Sequence, residues 1–203
     1  MRKYRLPTLE TERLILRMWN KKDAADLFAY AQNPNVGPIA GWKPHASQAE
    51  SKFIIVNVFL QKMSWAIVDK ATGKPVGSIS FEEDKFRPGM NSRELGYSLS
   101  EDFWGRGIMT EAAERVIRYA FETLALDSLA ITTRKSNARS QRVIEKCGFR
   151  YEGTMRRAYR IYDGTVHDLL CYSMLREEYM EKRGGRQRGC LRKRKSTAIR
   201  PMP

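Results

Sequence analysis

The chain has 203 residues, 42% of them apolar, and 37 Lys and Arg against 23 Asp and Glu, for a net charge of +14. This balance excludes disorder throughout and points to one globular domain. Met1 to Leu14 is charged and has no apolar stretch of the signal-peptide kind, and the longest apolar patch, Phe53 to Leu60, is short and broken by Asn57, so a soluble chain with no membrane partner is expected.

Arg13 to Trp19 alternates, with Leu14, Leu16 and Met18 on one side, and reads as a first strand. Lys21 to Gln32 places Ala25, Leu27, Phe28 and Ala31 at helical spacing and stops near Asn33-Pro34. Asn33 to His45 is turn-rich and suits a lid or substrate wall. Ser47 then caps a helix to about Lys62, with Phe53, Val56 and Leu60 predicted on one face. Ser64 to Asp69, Lys74 to Glu82 and Ser92 to Ser100 form an antiparallel meander. Gly107 to Leu126 is the clearest helix, since Ala112, Val116, Ala120 and Leu124, and also Ala113, Ile117 and Phe121, recur every four residues.

Leu129 to Thr133 follows as a short strand, Asn137 to Cys147 as a helix closed by Gly148, and Tyr151 to Tyr162 and Val166 to Leu175 as two last strands. The expected class is α/β, a mixed sheet of about seven strands flanked by about four helices, because a helical crossover returns its strand parallel. Cys147, Cys171 and Cys190 with His45 and His167 make neither a disulfide framework nor a zinc set, so no metal and a reducing cytoplasm are expected. Lys182 to Pro203 holds nine Lys or Arg and no acid, leaving 28 basic against 23 acidic residues in the body. The reading is a domain over 1–181 and a basic, flexible tail over 182–203 that offers a salt-sensitive contact to ribosome or RNA.

The segment Phe103-Trp104-Gly105-Arg106-Gly107-Ile108-Met109-Thr110-Glu111-Ala112 leaves a strand, turns through two glycines and opens the strongest helix. Such a turn exposes backbone N–H groups at a helix start, where a phosphate or pyrophosphate is held, with Arg106 adding charge. The alternative is a plain strand-to-helix turn. Neither Gly-x-x-x-x-Gly-Lys-Ser/Thr nor Gly-x-Gly-x-x-Gly is present, so an anion site of another kind is needed.

A second constellation, Asn137-Ala138-Arg139-Ser140 followed by Glu145-Lys146-Cys147-Gly148-Phe149, comes after the next strand. With these two segments the chain resembles the GNAT superfamily of acyl-CoA-dependent N-acetyltransferases, and within it the Rim-type ribosomal-protein N-terminal acetyltransferases, from about Leu9 to about Tyr179. The opening Leu9-Glu10-Thr11-Glu12-Arg13-Leu14 belongs to the likeness. The resemblance implies a GNAT-like fold and acetyl-CoA as co-substrate. Its pyrophosphate would lie on Gly105, Arg106, Gly107, Ile108, Met109 and Thr110, with Leu99 also in the cofactor-binding set. Asn137 would bond the pantetheine arm and Ser140 would lie near the sulfur. The loop departs from the superfamily pattern by placing Trp104 first and Met109 last, so Trp104 supplies no polar side chain to the ligand. Asn137 also reads as a helix N-cap.

Acetylation of an amine needs a free amine, donors for the developing oxyanion and a proton for the departing thiolate. Glu94, on the strand leading into the loop, shares a face with Gly96, Ser98 and Ser100, as a cleft-facing carboxylate would. Burial there raises its pKa and suits it to accept an amine proton, a position at which the resemblance also implies a base; the alternative is a structural ion pair. Ser140 or Tyr159 is the expected proton donor, Tyr159 standing where Rim-type relatives carry an acidic residue near the start of the penultimate strand. Cys147 and Phe149 read as core, and His167-Asp168 as strand decoration. The acceptor implied is a protein N-terminus such as that of a ribosomal protein, with polyamines or amino-sugar antibiotics as small-amine alternatives and a ribosome- or RNA-binding module as the non-enzymatic one. Glu82, Glu83 and Asp84 read either as a cation-favouring cluster or as a solvated strand end. The chain is expected to be a monomer or homodimer.

Overall fold

The computed structural model describes residues 5–184. Its eight strands are β1 (Leu9–Glu10), β2 (Leu14–Met18), β3 (Met63–Asp69), β4 (Pro75–Glu83), β5 (Ser92–Leu99), β6 (Ser128–Arg134), β7 (Arg150–Arg160) and β8 (Val166–Leu175). The helices among the described residues are α1 (Ala24–Ala31), α2 (Gly37–Ala40), α3 (Gln48–Asn57), α4 (Ile108–Glu122), α5 (Ala138–Cys147) and a last one, α6, over residues 176–184. The strands make one mixed sheet in the order β1-β2-β3-β4-β5-β6-β8-β7, antiparallel everywhere except between β5 and β6. The α/β class and the mixed sheet expected from the sequence are present, with one more strand and two more helices.

Two cores flank the sheet. β3 is buried on both faces, so Trp65 and Ile67 join the core under α4 and α5 while Ala66 and Val68 join the one under α1 and α3. The α4 stripe Ala112, Ala113, Val116, Ile117, Ala120 and Phe121 is buried as its spacing predicts, but the helix ends at Glu122 rather than Leu126, leaving Leu124 half-buried in the turn beyond it. Two other predicted faces are corrected. Leu27 and Ala31 are buried as predicted and Phe28 is half-buried, but Ala25 is exposed, and Ala24 and Tyr30 complete the buried face of α1. Phe53 is 61% exposed, and α3 buries Ser51 and Ile55, because a run of four apolar residues leaves the orientation of a helix undetermined.

The turn-rich segment over 33–45 contains α2, and the predicted Ser47–Lys62 helix ends at Asn57, followed by a 3₁₀ turn at Phe59–Gln61. Among the described residues no helix is long and apolar enough to cross a membrane. Of the segment read as a tail, residues 182–184 continue α6; Cys190 and the remaining basic run lie outside the described residues. Cys147 and Phe149 are 5% and 7% exposed, in the core as read. Among the described residues β7 pairs only with β8, and its register slips twice, between Tyr151 and Gly153 and between Met155 and Tyr159. Within the second slip Arg157 has φ +50.

Candidate active site

β5 and β6 are neighbours only at their beginnings, with Ser92 opposite Ser128, Arg93 opposite Leu129 and Glu94 opposite Ala130. Beyond these pairs the strands part, and main-chain groups of β5 that face the gap lose their ladder partner. A cavity of about 880 Å³ is lined by both strands, by the loop after β5, by the start of α5 and by α2. Because strand residues alternate faces, Leu95, Tyr97 and Leu99 approach it from the α4–α5 side and Glu94, Gly96 and Ser98 from the α1–α3 side. The cavity therefore connects the two faces of the sheet. Ser100, predicted to continue the Glu94 face, lies beyond β5, its N–H bonded to the Val76 carbonyl at 2.7 Å.

At one end lies the glycine loop. Gly105 and Gly107 have φ +75 and +76, and both are exposed with Arg106. A Cβ on Gly105 would meet no protein atom within 4 Å, so within the chain it is the positive φ, not a neighbouring side chain, that favours glycine there. Gly107 caps α4 with no side-chain hydrogen bond, and the first helical bond runs from Glu111 N–H to the Gly107 carbonyl at 3.0 Å. The N–H groups of Ile108, Met109 and Thr110 precede that bond and have no carbonyl four residues back within the helix, an arrangement suited to an anion. Gly105, Gly107, Ile108, Met109 and Thr110 line the cavity, whereas Arg106 stacks on the Phe103 ring at 5.2 Å.

The loop is held from behind by Arg13, a residue not singled out in the sequence. Its Nη1 donates to the Arg106 carbonyl at 3.0 Å and its Nε to Glu111 at 2.7 Å, while Thr11 Oγ1 donates to the same carboxylate at 2.5 Å. Partial burial pushes the Glu111 carboxyl up, but the bonds from Thr11 and Arg13 outweigh it and hold the group below its usual range. Negative charge at this helix start is thus turned away from the cavity. The run Thr11-Glu12-Arg13 was the available signal, and its structural partner is 98 residues away. Trp104 does carry a polar contact, an internal one: its Nε1 donates to the Leu99 carbonyl at 2.9 Å, and Arg139 stacks on its ring at 4.1 Å. Leu99 lines the cavity with its carbonyl already taken.

Asn137 caps α5, its Oδ1 accepting from Ser140 N–H at 3.1 Å, and it also lines the cavity. Ser140 is buried, with its hydroxyl 2.9 Å from the Tyr97 hydroxyl. Burial pushes the Tyr97 phenol well above its ordinary value despite the bond to Ser140. No motif marks Tyr97 in the sequence, but its opposite parity to Glu94 puts it on the α5 side.

On the other face Ser78, Ser80 and Glu82 of β4 stand opposite Ser98, Gly96 and Glu94 of β5. Glu94 has no ion pair among the described residues; it accepts from Thr132 Oγ1 at 2.6 Å. Burial raises its pKa, the Thr132 bond opposes this, and the charges of Asp84 and Glu82 add to the rise. Glu82 accepts from Lys62 Nζ at 2.7 Å and from Ser80 Oγ at 3.1 Å. The acidic trio is therefore split: Glu82 and Glu83 line the cavity, while Asp84 is buried on Ser92 Oγ at 2.9 Å and Arg87 at 3.3 Å.

Val36, Ile39, Ala40 and Trp42 make the apolar wall above this face. Arg134 Nη2 holds the wall by donating to the Pro38 carbonyl at 2.5 Å, and its Nη1 lies 3.3 Å from His167 Nε2, so His167 supports the wall rather than decorating a strand. Tyr159 packs against Gly41 at the end of α2. It lies near the end of β7, not near its start as expected, because the hairpin to β8 follows at once. Tyr159 and Ser140 both line the cavity, but no hydrogen bond joins them among the described residues.

Residues 13–150 match the family profile described as the acetyltransferase (GNAT) domain. An uncharacterized N-acetyltransferase p20 of Bacillus licheniformis is 30% identical over 86% of this chain and 99% of its own length. The [Ribosomal protein uS5]-alanine N-acetyltransferase of Escherichia coli (strain K12) is 26% identical over 79% of this chain and 86% of its own. The crystal structure of Microcin C7 self immunity acetyltransferase MccE in complex with acetyl-CoA and AMP shares the fold at TM-score 0.70 and 23% identity, over 81% of this chain and 93% of that one. A glycine loop at the head of α4, a sheet parted between β5 and β6 and a profile match over most of the chain agree: the protein belongs to the GNAT family of N-acetyltransferases.

Proposed function

We propose that the chain moves an acetyl group from acetyl-CoA directly to a primary amine, the α-amine of a protein N-terminus such as that of a ribosomal protein. The observation that carries this is one cavity with the first amides of α4 at one end and, at the other, Glu94, a carboxylate raised by burial and without an ion pair among the described residues. The loop fits the cofactor's diphosphate: its amides are exposed, its glycines leave no side chain in the way, and Glu111 is neutralised by Arg13. Gly105, Gly107, Ile108, Met109 and Thr110 would hold it, with Arg106, Asn137 and Leu99 beside it. Acetyl-CoA supplies the activated acyl group.

The residues of the chain do the rest. Glu94 takes a proton from the acceptor ammonium, so that the nitrogen lone pair is free to form the C–N bond. Main-chain N–H groups along the unladdered edge of β5 are donors for charge developing on the carbonyl oxygen. As the C–S bond breaks, Ser140, backed by Tyr97, gives its hydroxyl proton to sulfur and is reprotonated by the second proton that the nitrogen loses, while the proton held by Glu94 passes to solvent. Overall an ammonium and a thioester give an amide, a thiol and one proton. Binding both reactants in one cavity makes direct transfer effectively unimolecular. Cys147 is buried, its thiol pushed up to about 12, so an acyl-cysteine route is unfavourable.

The name of the uS5-alanine acetyltransferase supports an N-terminal acceptor. The acidic lining at Glu82 and Glu83 supports a small polyamine or amino sugar as second reading. Mass spectrometry of a mixture of N-terminal peptides and small amines incubated with acetyl-CoA decides between them: acetylated peptides are expected, products confined to small amines favour the second reading, and no product in either pool refutes both.

A further inference from the structure

The acceptor end of the cavity already contains an ammonium ion paired with a carboxylate. Lys62, the last residue before β3, reaches across to Glu82 Oε2 at 2.7 Å, and both residues line the cavity. Glu82 stands directly opposite Glu94 in the β4–β5 register. The row behind this pair is Ser80 opposite Gly96, where the missing side chain keeps the floor low: a Cβ there would lie 3.5 Å from Ser80 Oγ and 3.9 Å from Glu82 Cγ. Ser80 Oγ donates to the other Glu82 oxygen at 3.1 Å, which orients the carboxylate. Glu82 has no second basic partner within ion-pair distance among the described residues.

The pair is exchangeable. The Lys62 and Glu82 side chains are 46% and 36% exposed, so the ion pair is a weak one, worth a small fraction of what a buried pair would be. Lys62 hangs on a flexible stem at the end of a 3₁₀ turn and loses little by swinging into water. An ammonium delivered by an acceptor would find the same carboxylate, the same Ser80 support and, one strand away, Glu94.

From this arrangement we infer that Glu82 is the residue that selects the acceptor, by gripping its ammonium group, and that Lys62 is an internal stand-in which the acceptor displaces. The inference rests on the acetyltransferase reading and deepens it. The acceptor class is then an aliphatic primary amine that is protonated at neutral pH, and weakly basic aromatic amines are disfavoured because they bring no charge to exchange for Lys62. Displacement makes no covalent bond; the proton leaves afterwards, to Glu94.

The test uses n-butylammonium as the probe and n-butanol, its neutral counterpart of equal chain length, as the control, followed by amide resonances of the ¹⁵N-labelled full chain. Butylammonium is expected to shift the Glu82 and Glu94 amides saturably and butanol to leave them in place. Lys62→Met is expected to tighten the apparent Kd about three-fold, the size of a half-exposed ion pair. Lys62→Arg should stay near wild type, and Glu82→Gln should weaken binding about ten-fold or more through loss of a charge-assisted bond. Both positions are half-exposed, so these variants keep the fold.

Equal shifts with butanol, no shift with butylammonium, or a Lys62→Met affinity no better than wild type overturns the inference. Thermal protection by acetyl-CoA, measured on the same samples, keeps the two ideas apart. Protection without an ammonium site leaves the acetyltransferase reading standing and overturns the inference, whereas an ammonium site without protection overturns that reading and with it the role of Glu82 in choosing an acceptor.

Discussion

Removing the guanidinium of Arg13 while keeping its stem, as Arg13→Met does, tests whether the glycine loop is pre-shaped for its anion. In the wild type Arg13 donates to the Arg106 carbonyl at 3.0 Å and bridges Glu111 at 2.6 Å, from a side chain that is 45% exposed. The ion pair at that exposure contributes at most about 1 kcal/mol, and the carbonyl bond a further ~0.5–1 kcal/mol. Global stability should therefore fall only modestly.

The effect on cofactor binding is expected to be larger than that on stability. An untied loop over residues 105–107 must be re-ordered on binding, at about 1 kcal/mol per residue of backbone entropy, and Glu111 is left with an uncompensated charge beside the diphosphate. Losing one to two residues' worth of order weakens acetyl-CoA binding about ten-fold, since ~1.4 kcal/mol is a factor of ten. Titration calorimetry with acetyl-CoA measures this directly. A variant of lowered Tm but unchanged acetyl-CoA affinity would refute the reasoning, because Arg13 would then be a structural strut alone.

The pH dependence has a definite sign. The folded Glu111 titrates below its usual range, so its contribution to stability is present above the unfolded carboxylate pKa and is lost as pH falls through the folded value. Acid melts of wild type and Arg13→Met should converge in that window.

Two further predictions concern carboxylate and thiol. Glu94→Gln should lower kcat about 10²- to 10⁴-fold and abolish the acidic limb of the rate profile, whose midpoint in wild type lies above the ordinary Glu value. Because burial raises the Glu94 pKa, the folded chain bears a destabilising charge above that pKa, and Glu94→Gln should raise the Tm at neutral pH, with the gain fading as pH falls through the raised folded pKa and gone below the unfolded Glu pKa; a lowered neutral-pH Tm contradicts the assignment. Cys147→Ser should leave kcat unchanged and cost about 1–3 kcal/mol in denaturant melts, as a hydroxyl buried in the core does; a collapse of kcat with the fold intact would restore the thiol to the chemistry.

How much of this was legible depends on the distance over which each feature is encoded. α4 announces itself because its apolar residues repeat every four positions, and Glu94 because Gly96 and Ser98 share its parity. α2 was hidden since Gly37-Pro38 reads as a breaker, yet proline is favoured in the first turn of a helix. β1 is two residues long and has no period to detect, and α6 is mostly charged. The polar ties Arg13 to Glu111, Lys62 to Glu82 and Arg134 to Pro38 join segments that only the folded sheet brings together. Tyr159 was misplaced because strand β7 begins immediately after Phe149 and its slips leave no regular alternation.

The two rims of the sheet bear on how the chain behaves at high concentration. One rim is the two-residue β1, too brief to template a newcomer. The other, β7, is long and exposed, the kind of strand onto which a stray extended segment can grow. Its broken register, the left-handed turn at Arg157 and the neighbouring Arg156 and Arg160 interrupt any flat row of amides and surround it with like charge. The irregularity that obscures this strand in the sequence thus guards against runaway stacking of sheets between molecules.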